Sequence, residues 1–377
     1  MRLYNLIKQI GQNHTVTLIC EKRPNQTRDD QEEVEKVCNR VITVARQKQW
    51  SLKNIIKTGL SLHPFLITGH TSQDMKVAIE RELSSKKYDL IHVETFYVMQ
   101  NLPKTALPVV LVEHNIEYFI YERYAKKAAF IMRPLLLLDV YKLRRAEQQA
   151  WRKATVVAAV SRQDKEVIGA KNTYIVANGV DTTLFKPKMI SSEFKTKKKK
   201  ILYIGDFSYV QNRDAVSYII TSIWPLLKKN LPLDTTLWIV GKNMNQSIKD
   251  LGKGDNSIFF DDANVQTAAD IFSEADVLLA PIRIGGGTSY KIIEAMAVGT
   301  PVVTTSLGHE GIEAKPDEQI LVADTPEAIV EAIVSLFANE QSYTLLSKNA
   351  RKAIEKNYDW VQIARSLEHV YEEAIKA

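Results

Sequence analysis

The sequence predicts an α/β protein made of two doubly wound, parallel-sheet domains in tandem. Three observations support this fold class. The chain has 377 residues, more than one hydrophobic core usually organises. Short apolar runs alternate with amphipathic helical segments, which is typical of a parallel sheet covered by helices on both faces. The alternation starts again near residue 199, which indicates a second domain.

The first half predicts a Rossmann-like N-terminal domain over residues 1–186. An amphipathic helix is expected at the start of the chain, with further helices at 74–87 and 134–153. Four apolar runs predict buried strands, at 15–20, 88–93, 109–113 and 155–161.

The second half predicts a C-terminal domain over residues 200–360. Its strands are expected at 199–206, 236–241, 257–262, 276–282 and 300–306, and its helices at 213–230 and 265–275. Residues 187–199 are polar and end in lysines, which predicts a basic linker. For Lys197–Lys200, a solvated linker is favoured over contact with anionic lipid. A last helix, 361–377, is expected to cross back to the N-terminal domain.

The composition is that of a globular protein, with 45% hydrophobic and 25% charged residues. The net charge of +6 suits an anionic ligand or an anionic membrane surface, but it is too dispersed to indicate nucleic acid. No apolar run reaches the length of a transmembrane helix. We therefore expect a cytoplasmic protein, with peripheral contact at the inner face of the membrane left open. The chain has two cysteines, Cys20 and Cys38, for which a reducing compartment is the simplest interpretation. Because no histidines cluster with them, no metal site is predicted.

The most informative segment is PIRIGGGTSYKIIEAMAVGTPVVTTSLGHEG, residues 281–311. A strand is expected to end near Ile284, and a helix to run from Ser289 to Val298. The glycines between them would expose backbone N–H groups and the positive end of the helix dipole to a phosphate. Three glycines alone do not distinguish a phosphate-binding turn from an ordinary tight turn, and both interpretations are equally good.

Glu294 lies within this apolar helix, where a carboxylate is costly unless it is partnered. Two ribose hydroxyls would satisfy it. The alternative is a solvent-facing glutamate or one that pairs with Lys291, and the residues alone leave both interpretations open.

Together with three other segments, this region resembles the family-4 glycosyltransferases, retaining enzymes of the GT-B fold, and specifically a bacterial branch with a GGGT–K–EAMA signature. The other segments are VEHNIEYFIYER (112–123), NGVDTTLFKP (178–187) and GDFSYVQNRDAV (205–216), in family order along the chain. The resemblance implies two Rossmann-like domains facing across a cleft, with a nucleotide-sugar donor bound by the C-terminal domain.

The resemblance also implies roles for particular residues. Glu294 would bind the donor ribose, Lys291 would reach a phosphate, and His114 would be the catalytic residue that contacts the transferred sugar or the acceptor. The other expected donor-binding residues are Gly205, Asn212, Arg283, Gly285, Gly286, Gly287, Thr288, His309 and Glu310. The alternative for His114 is a hydrogen-bonded structural histidine. Asn178 is expected to fix a turn with Gly179.

The implied reaction moves a sugar from a nucleotide diphosphate to a hydroxyl of a saccharide or glycolipid acceptor, with retained anomeric configuration. Positive charge and N–H groups at the departing diphosphate would stabilise the leaving group. No cofactor is expected. No metal is expected either, because the sequence contains no Asp-x-Asp triad.

Several positions depart from the family pattern. Gly286 stands where many members have the first of two glutamates, Asp206 where they have an arginine, and Ser289 where the branch has an arginine. Arg213 only approximates the basic partner, so fewer phosphate contacts are expected. The family's first strand would precede the helix at Arg2, so an N-terminal sheet without that central strand is expected.

Two alternatives to an active glycosyltransferase follow from these departures and from the fold. One is a non-catalytic nucleotide-sugar-binding protein. The other is a GT-B isomerase of the nucleotide-sugar 2-epimerase type, against which the EAMA and NGVD segments argue. The donor base and sugar, the acceptor and the oligomeric state do not follow from the sequence.

Overall fold

The structure is a computed structural model that describes residues 2–187, 198–262, 267–285 and 287–377. The chain divides into two compact units. The N-terminal domain comprises Met1–Ala177 and Ile363–Ala377, and the C-terminal domain comprises Asn178–Gln362. The residues from 178 to 186 therefore group with the C-terminal domain, earlier than the predicted boundary. Most of the last helix groups with the N-terminal domain.

The N-terminal domain alternates strands and helices, as its apolar runs predict. Its strands are β1 (Thr17–Lys22), β2 (Arg40–Ala45), β3 (Ile91–Glu94), β4 (Val109–Glu113), β5 (Val156–Ala159) and β6 (Thr173–Ile175). Its helices are α1 (Arg2–Ile10), α2 (Arg28–Glu35), α3 (Leu52–Gly59), α4 (Phe65–His70), α5 (Gln73–Ser85), α6 (Glu117–Lys127), α7 (Arg133–Lys153) and α8 (Arg162–Ile168). A 3₁₀ turn covers Phe96–Asn101.

A four-stranded parallel sheet of order β3-β4-β5-β6 carries the core of the N-terminal domain. Every residue of β4 and β5 is buried, because these inner strands are covered on both faces. Leu111 and Val157 of these strands pack in one cluster with Leu143 and Trp151 of α7. The predicted strand at 109–113 is confirmed with the same bounds.

Strands β1 and β2 form a separate parallel pair. The hydroxyl of Tyr88, just before β3, lies 3.1 Å from the hydroxyl of Thr17 at the start of β1. Within residues 2–187, however, no ladder of backbone hydrogen bonds joins β1 to β3. No residue of β1 is fully buried. The strands of this domain therefore form two separate sheets within the described residues.

The C-terminal domain contains the second series. Its strands are β7 (Lys200–Asp206), β8 (Thr236–Lys242), β9 (Ile258–Asp261), β10 (Val277–Ala280), β11 (Val302–Thr304) and β12 (Leu321–Val322). Its helices are α9 (Val210–Tyr218), α10 (Trp224–Asn230), α11 (Gln246–Leu251), α12 (Ala268–Glu274), α13 (Tyr290–Val298), α14 (Ser306–His309), α15 (Pro326–Ala338), α16 (Glu340–Asn357) and α17 (Trp360–Lys376), whose later residues belong to the N-terminal domain.

The six strands of the C-terminal domain form one continuous parallel sheet of order β12-β11-β10-β7-β8-β9. The chain runs outward from β7 on one side and from β10 on the other, so the strand order reverses between these neighbours. In doubly wound sheets, ligands bind outside the carboxyl ends of the strands at such a reversal. The residues that follow Asp206 and Ala280 flank this point.

The predicted helix at 213–230 is interrupted. A π-helical turn, Ile219–Ile223, separates α9 from α10. Pro225 follows at once; it has no backbone N–H and its ring would clash with the carbonyl one turn earlier, so the turn before it widens.

The described residues of the lysine run before β7 differ from one another: Lys198 is exposed, whereas Lys199 and Lys200 pack against the C-terminal domain. Lys199 is buried, and its ammonium lies 5.5 Å from the ring centroid of Phe337. Lys200 opens β7 and pairs with Glu274. The interpretation of these two lysines as linker or lipid-contacting residues is therefore wrong. Lys197 lies outside the described residues.

Candidate functional site

A hydrogen-bonded cluster joins β7, α9 and α13 beside the strand reversal of the C-terminal domain. The ammonium of Lys291, in the first turn of α13, donates to Asn212 Oδ1 at 2.9 Å and to the Tyr203 hydroxyl at 3.1 Å. The same ammonium lies 4.3 Å from the centroid of the Tyr203 ring. Asn212 also donates to the carbonyl of Asp206. The structure thus brings together Asn212 and Lys291, two of the predicted donor-binding residues.

Gly205 makes this arrangement possible. A Cβ at position 205 would lie 2.8 Å from the side-chain carbon of Asn212, closer than real Cβ atoms approach. A larger residue would push Asn212 away from Lys291. Gly205 therefore acts by close packing against Asn212.

Glu294 lies one helical turn after Lys291 and keeps part of its surface open to solvent. Desolvation by the surrounding protein raises its pKa to about 7, against the opposing effect of the Lys291 charge. Burial lowers the pKa of Lys291 to about 7, with Glu294 acting in the opposite direction. Within the described residues, no side chain or backbone group donates a hydrogen bond to Glu294. The carboxylate is thus desolvated and ready to accept hydrogen bonds from a ligand.

The glycine-rich turn uses backbone conformations that other residues rarely adopt. Gly285 has a φ of 131° and Gly287 a φ of 78°. Thr288 then donates from its hydroxyl to the carbonyl of Gly311, which ties the turn to the loop after α14. Gly286, one of the expected donor-binding residues, is outside the described residues, as are residues 263–266.

Helix α13 begins directly after this turn, and its N-cap residue, Ser289, makes no side-chain capping hydrogen bond. The rest of the helix anchors it: Ile292 and Ile293 are buried, and Gly299 ends it in the left-handed conformation. Tyr290 donates to Asn178 at 3.2 Å, and Gly179 packs so closely on Trp360 that a Cβ there would clash. Asn178 and Gly179 therefore support the start of α13.

Arg283 is committed to other partners. Its guanidinium forms a bidentate ion pair with Asp214, with contacts of 2.8 and 3.1 Å, and lies 3.9 Å from the centroid of the Tyr218 ring. Arg213 is similarly engaged, since it donates to the carbonyls of Phe207 and Ser208. Both arginines therefore already have partners within the C-terminal domain. Sequence reasoning missed Asp214 as the partner of Arg283.

His309 and Glu310 lie at the end of α14, after β11. His309 Nε2 lies 2.7 Å from the carbonyl oxygen of Ala314, which fixes the following loop. Both residues are half-buried. The contact of His309 supports a role in holding this loop. The expected part of His309 and Glu310 in lining a donor pocket stays a prediction.

In the N-terminal domain, His114 follows β4 and forms part of a polar chain. Its Nε2 lies 2.5 Å from Glu94 Oε2, while His92 Nε2 lies 2.9 Å from Glu94 Oε1. The other ring nitrogen of His92 lies 2.7 Å from the Tyr371 hydroxyl of α17. Although burial alone would raise the pKa of Glu94, hydrogen bonds from His114 and His92 hold it below its usual range. His114 is thus oriented by a buried carboxylate, and about a third of its side chain remains exposed.

Glu94 and His92 were not among the predicted site residues. The signal was present in IHVE, because residues two apart on a strand share a face and these two precede a turn at the carboxyl end of β3. The next residue, Thr95, is buried and has a φ of 76°, an unusual conformation for a β-branched residue. Strain at this point accompanies the histidine–carboxylate chain.

A second buried carboxylate supports the loop that carries His114. Glu147 of α7 accepts hydrogen bonds from the backbone N–H groups of Glu117 and Tyr118, the first residues of α6. Burial raises the pKa of Glu147 to about 8, despite these hydrogen bonds. The fixed start of α6 in turn limits where His114 can lie.

The described residues contain no group of three or more histidines, cysteines, aspartates or glutamates that could hold a metal ion. Whether the reaction needs a metal is not tested by this observation, so independence from metal stays a prediction.

Comparisons with known proteins identify the family of each domain. Residues 1–184 match the family model described as Glycosyltransferase Family 4, and residues 198–339 match that described as Glycosyl transferases group 1. The putative glycosyltransferase YtcC of Bacillus subtilis is 24% identical over 330 residues, which is 79% of this chain and 76% of that protein.

Two further proteins are similar at lower coverage or identity. A phosphatidyl-myo-inositol mannosyltransferase of Mycolicibacterium smegmatis is 24% identical over 216 residues, 56% of this chain and 54% of that protein. The structure of Anabaena HepE in complex with UDP superposes with a TM-score of 0.65 at 18% identity, covering 98% of this chain and 94% of that one.

The protein is therefore a glycosyltransferase of the GT-B fold. Its N-terminal domain matches glycosyltransferase family 4, and its C-terminal domain matches the group 1 glycosyl transferases.

Proposed function

We propose that the protein binds a nucleotide-diphosphate sugar at the Lys291–Glu294 site and transfers the sugar to an acceptor hydroxyl with retained configuration. The observation that carries this proposal is Glu294, a desolvated carboxylate to which no described residue donates a hydrogen bond. It lies one turn from a cation and directly behind a glycine-rich turn, at the strand reversal where open α/β sheets bind ligands.

In the proposed complex, Glu294 accepts the two ribose hydroxyls. Lys291 and the N–H groups at the start of α13 stabilise the negative charge of the departing diphosphate. Diphosphate binding favours the charged form of Lys291, and ribose binding favours the ionised form of Glu294, so the ligand reverses both perturbations. The Anabaena HepE structures, which hold UDP or UDP-glucose, support a nucleotide-sugar donor.

His114 acts from the N-terminal domain as the residue that contacts the transferred sugar or the acceptor. Glu94 holds its imidazole in one orientation, because the carboxylate contacts His114 Nε2. Retention and independence from metal are parts of this proposal that follow from the resemblance. The mannosyltransferase relative, named for phosphatidyl-myo-inositol, supports a saccharide or glycolipid acceptor in cell-envelope synthesis.

A second candidate is a nucleotide-sugar-binding protein without turnover. It is favoured by the pairing of Arg283 with Asp214 and of Arg213 with backbone carbonyls, which leaves fewer cations for the leaving group.

Release of nucleoside diphosphate from UDP- and GDP-hexoses, with and without a saccharide or lipid acceptor, tests the proposal. We expect acceptor-dependent release that is lost in Glu294→Ala and Lys291→Met. Glu331→Ala, which removes an exposed glutamate of α15, is the matched control and should keep full activity. Donor binding without release would establish the second candidate, and epimerised donor without acceptor would establish an isomerase.

A further inference from the structure

The α6–α7 hairpin of the N-terminal domain exposes an unusual amount of apolar surface. At its tip, Phe130 is 88% exposed and Ile131 is 89% exposed. Along the first half of α7, Leu135, Leu138 and Tyr141 recur every three residues and are all more than half exposed. Isolated exposed apolar residues are common, but a continuous set of this size marks an interaction surface.

The end of α3 extends this surface. Lys142 of α7 donates to the carbonyls of Thr58 and Ser61, and the backbone N–H of Phe65 donates to Asp139. These contacts hold the loop after α3 against α7, and they place Leu60 and Leu62, both almost fully exposed, beside the hairpin. We call this combined area the hairpin surface: Leu60, Leu62, Phe130, Ile131, Leu135 and Leu138.

The second half of α7 behaves in the opposite way. Leu143, Glu147, Ala150 and Trp151 are buried, and several of them pack in the core of the N-terminal domain. The helix is thus anchored at its end and exposed at its beginning. Packing within this domain does not account for the leucines near its start.

Positive charge is concentrated around the same surface. Residues 119–145 contain seven lysines and arginines against two acidic residues, whereas the net charge of the whole chain is only +6. Arg133 and Arg145 are exposed on α7, and Lys126, also exposed, pairs with Glu122 on α6. Apolar side chains at a tip, with basic side chains around them, match the two layers of a bilayer interface: acyl chains below and anionic headgroups above.

We propose that the hairpin surface docks on an anionic lipid bilayer. Phe130 and Ile131 insert at the boundary between headgroups and acyl chains, while Arg133 and the neighbouring basic residues bind lipid phosphates. Docking is peripheral: no helix in the described parts of the chain is long and apolar enough to cross a bilayer. The surface belongs to the N-terminal domain and involves none of the residues of the Lys291–Glu294 site.

The test is co-sedimentation of the full chain with vesicles of phosphatidylcholine containing about 30 mol % phosphatidylglycerol, and with vesicles of phosphatidylcholine alone. We expect binding to the anionic vesicles that weakens as salt is raised. Phe130→Ser combined with Ile131→Ser should reduce vesicle binding at least about tenfold, because two large apolar side chains no longer insert. Arg133→Glu should reduce it at least about fivefold, because one favourable charge is lost and reversed.

Matched controls lie on the C-terminal domain. Leu233→Ser removes an apolar side chain that is 97% exposed, and Lys229→Glu reverses an exposed lysine. Neither should change vesicle binding. A Phe130→Trp variant should show a blue shift of tryptophan emission with anionic vesicles. All five variants change exposed positions, so we expect unchanged thermal unfolding and unchanged UDP binding. These two measurements separate this proposal from the donor-site proposal.

Three results would overturn the proposal. The first is no binding to anionic vesicles by a wild-type protein that is folded. The second is vesicle binding that survives the Phe130/Ile131 change or disappears equally in the controls. The third is self-association of wild type, lost in the Phe130/Ile131 variant by analytical ultracentrifugation, without vesicle binding; this would assign the hairpin surface to contact with a second copy of the chain.

Discussion

The two domains repeat the same strand–helix alternation, yet their sheets differ. In the C-terminal domain, six parallel strands form one continuous sheet, and β8 is hydrogen-bonded on both sides. In the N-terminal domain, β1 and β2 stand apart from the other four strands, and β1 is paired on one side only. The difference indicates that the strands of the C-terminal sheet are joined by backbone hydrogen bonds throughout, whereas β1 and β2 are attached to the rest of their domain mainly by contacts with helices.

Burial follows the same division. The residues of β10 and β4 are fully buried, whereas those of β1 are all partly exposed, although its sequence, TLICEK, contains an apolar run. The apolar run alone does not distinguish an inner strand from a strand with an open edge, because strands of both kinds contain short runs of apolar residues.

The largest expected effect compares one leucine from each sheet. Leu278→Ala in β10 removes a fully buried side chain, and should lower the free energy of unfolding by about 2–5 kcal/mol. Leu18→Ala in β1 removes a partly exposed side chain, and should cost about 1 kcal/mol or less. Guanidinium denaturation followed by circular dichroism measures both. Equal destabilisation would remove the distinction between the sheets.

The second prediction separates the roles of the two domains. His114→Ala should lower kcat by about 100-fold, as does removal of other positioned polar groups that act in a transition state. Glu94→Gln should lower kcat by about tenfold and shift the pH profile, because an amide no longer accepts a hydrogen bond from both histidines. Steady-state kinetics with a fixed donor gives these values.

Donor affinity supplies the control for that experiment. Both changes lie in the N-terminal domain, so UDP affinity should change less than twofold. Loss of UDP binding in Glu94→Gln would indicate general unfolding of the domain or a donor site other than the one proposed.

The third prediction concerns backbone opening. Amide hydrogens of β1 should exchange at least about tenfold faster than those of β8, because only one side of β1 is paired and its side chains are partly exposed. Hydrogen exchange followed by mass spectrometry resolves the two peptides. If the amides of β1 and β8 are equally protected from exchange, contacts with helices must stabilise β1 to the same degree as pairing with a second strand would.

The fourth and smallest effect is proton linkage at the donor site. With a pKa of about 7, Lys291 is mostly neutral at pH 8, so binding of UDP-glucose should take up at most about 0.9 proton as the diphosphate restores its charge. Glu294, with a pKa of about 7, is mostly protonated at pH 6, so binding there should release protons as ribose stabilises the carboxylate.

Calorimetry in buffers of different ionisation enthalpy measures these protons. Lys291→Met should abolish the uptake at pH 8, and Glu294→Gln should abolish the release at pH 6. Identical proton exchange in wild type and both variants would place the titrating groups elsewhere.

Much of the fold followed from the sequence because the strands of a parallel sheet are short apolar runs separated by helices. The α/β class with two domains is confirmed, and strand β4 was predicted with its correct bounds. Strand β12 was missed, since two residues carry no periodicity. The break before Pro225 was missed because a proline within a helical pattern was treated as part of a continuous helix.

The candidate site was also predicted only in part: single residues were identified, but their partners were not. Asn212 and Lys291 were each predicted, but their mutual hydrogen bond depends on the neighbouring positions of β7 and β10, which the sequence alone does not order. Glu94 escaped prediction because its partner, His114, lies just after the neighbouring strand β4 and is distant in the sequence. Arg283 carries a charge compatible with a phosphate ligand, and only the structure revealed its pairing with Asp214.

Calorimetric titration of UDP-glucose into wild type, Glu294→Ala and Glu331→Ala tests the central claim most directly. If the donor binds at the Lys291–Glu294 site, Glu294→Ala should weaken binding by about 1–3 kcal/mol, whereas Glu331→Ala should bind as wild type does. Equal affinity in all three proteins would contradict the assignment of Glu294 to the donor ribose.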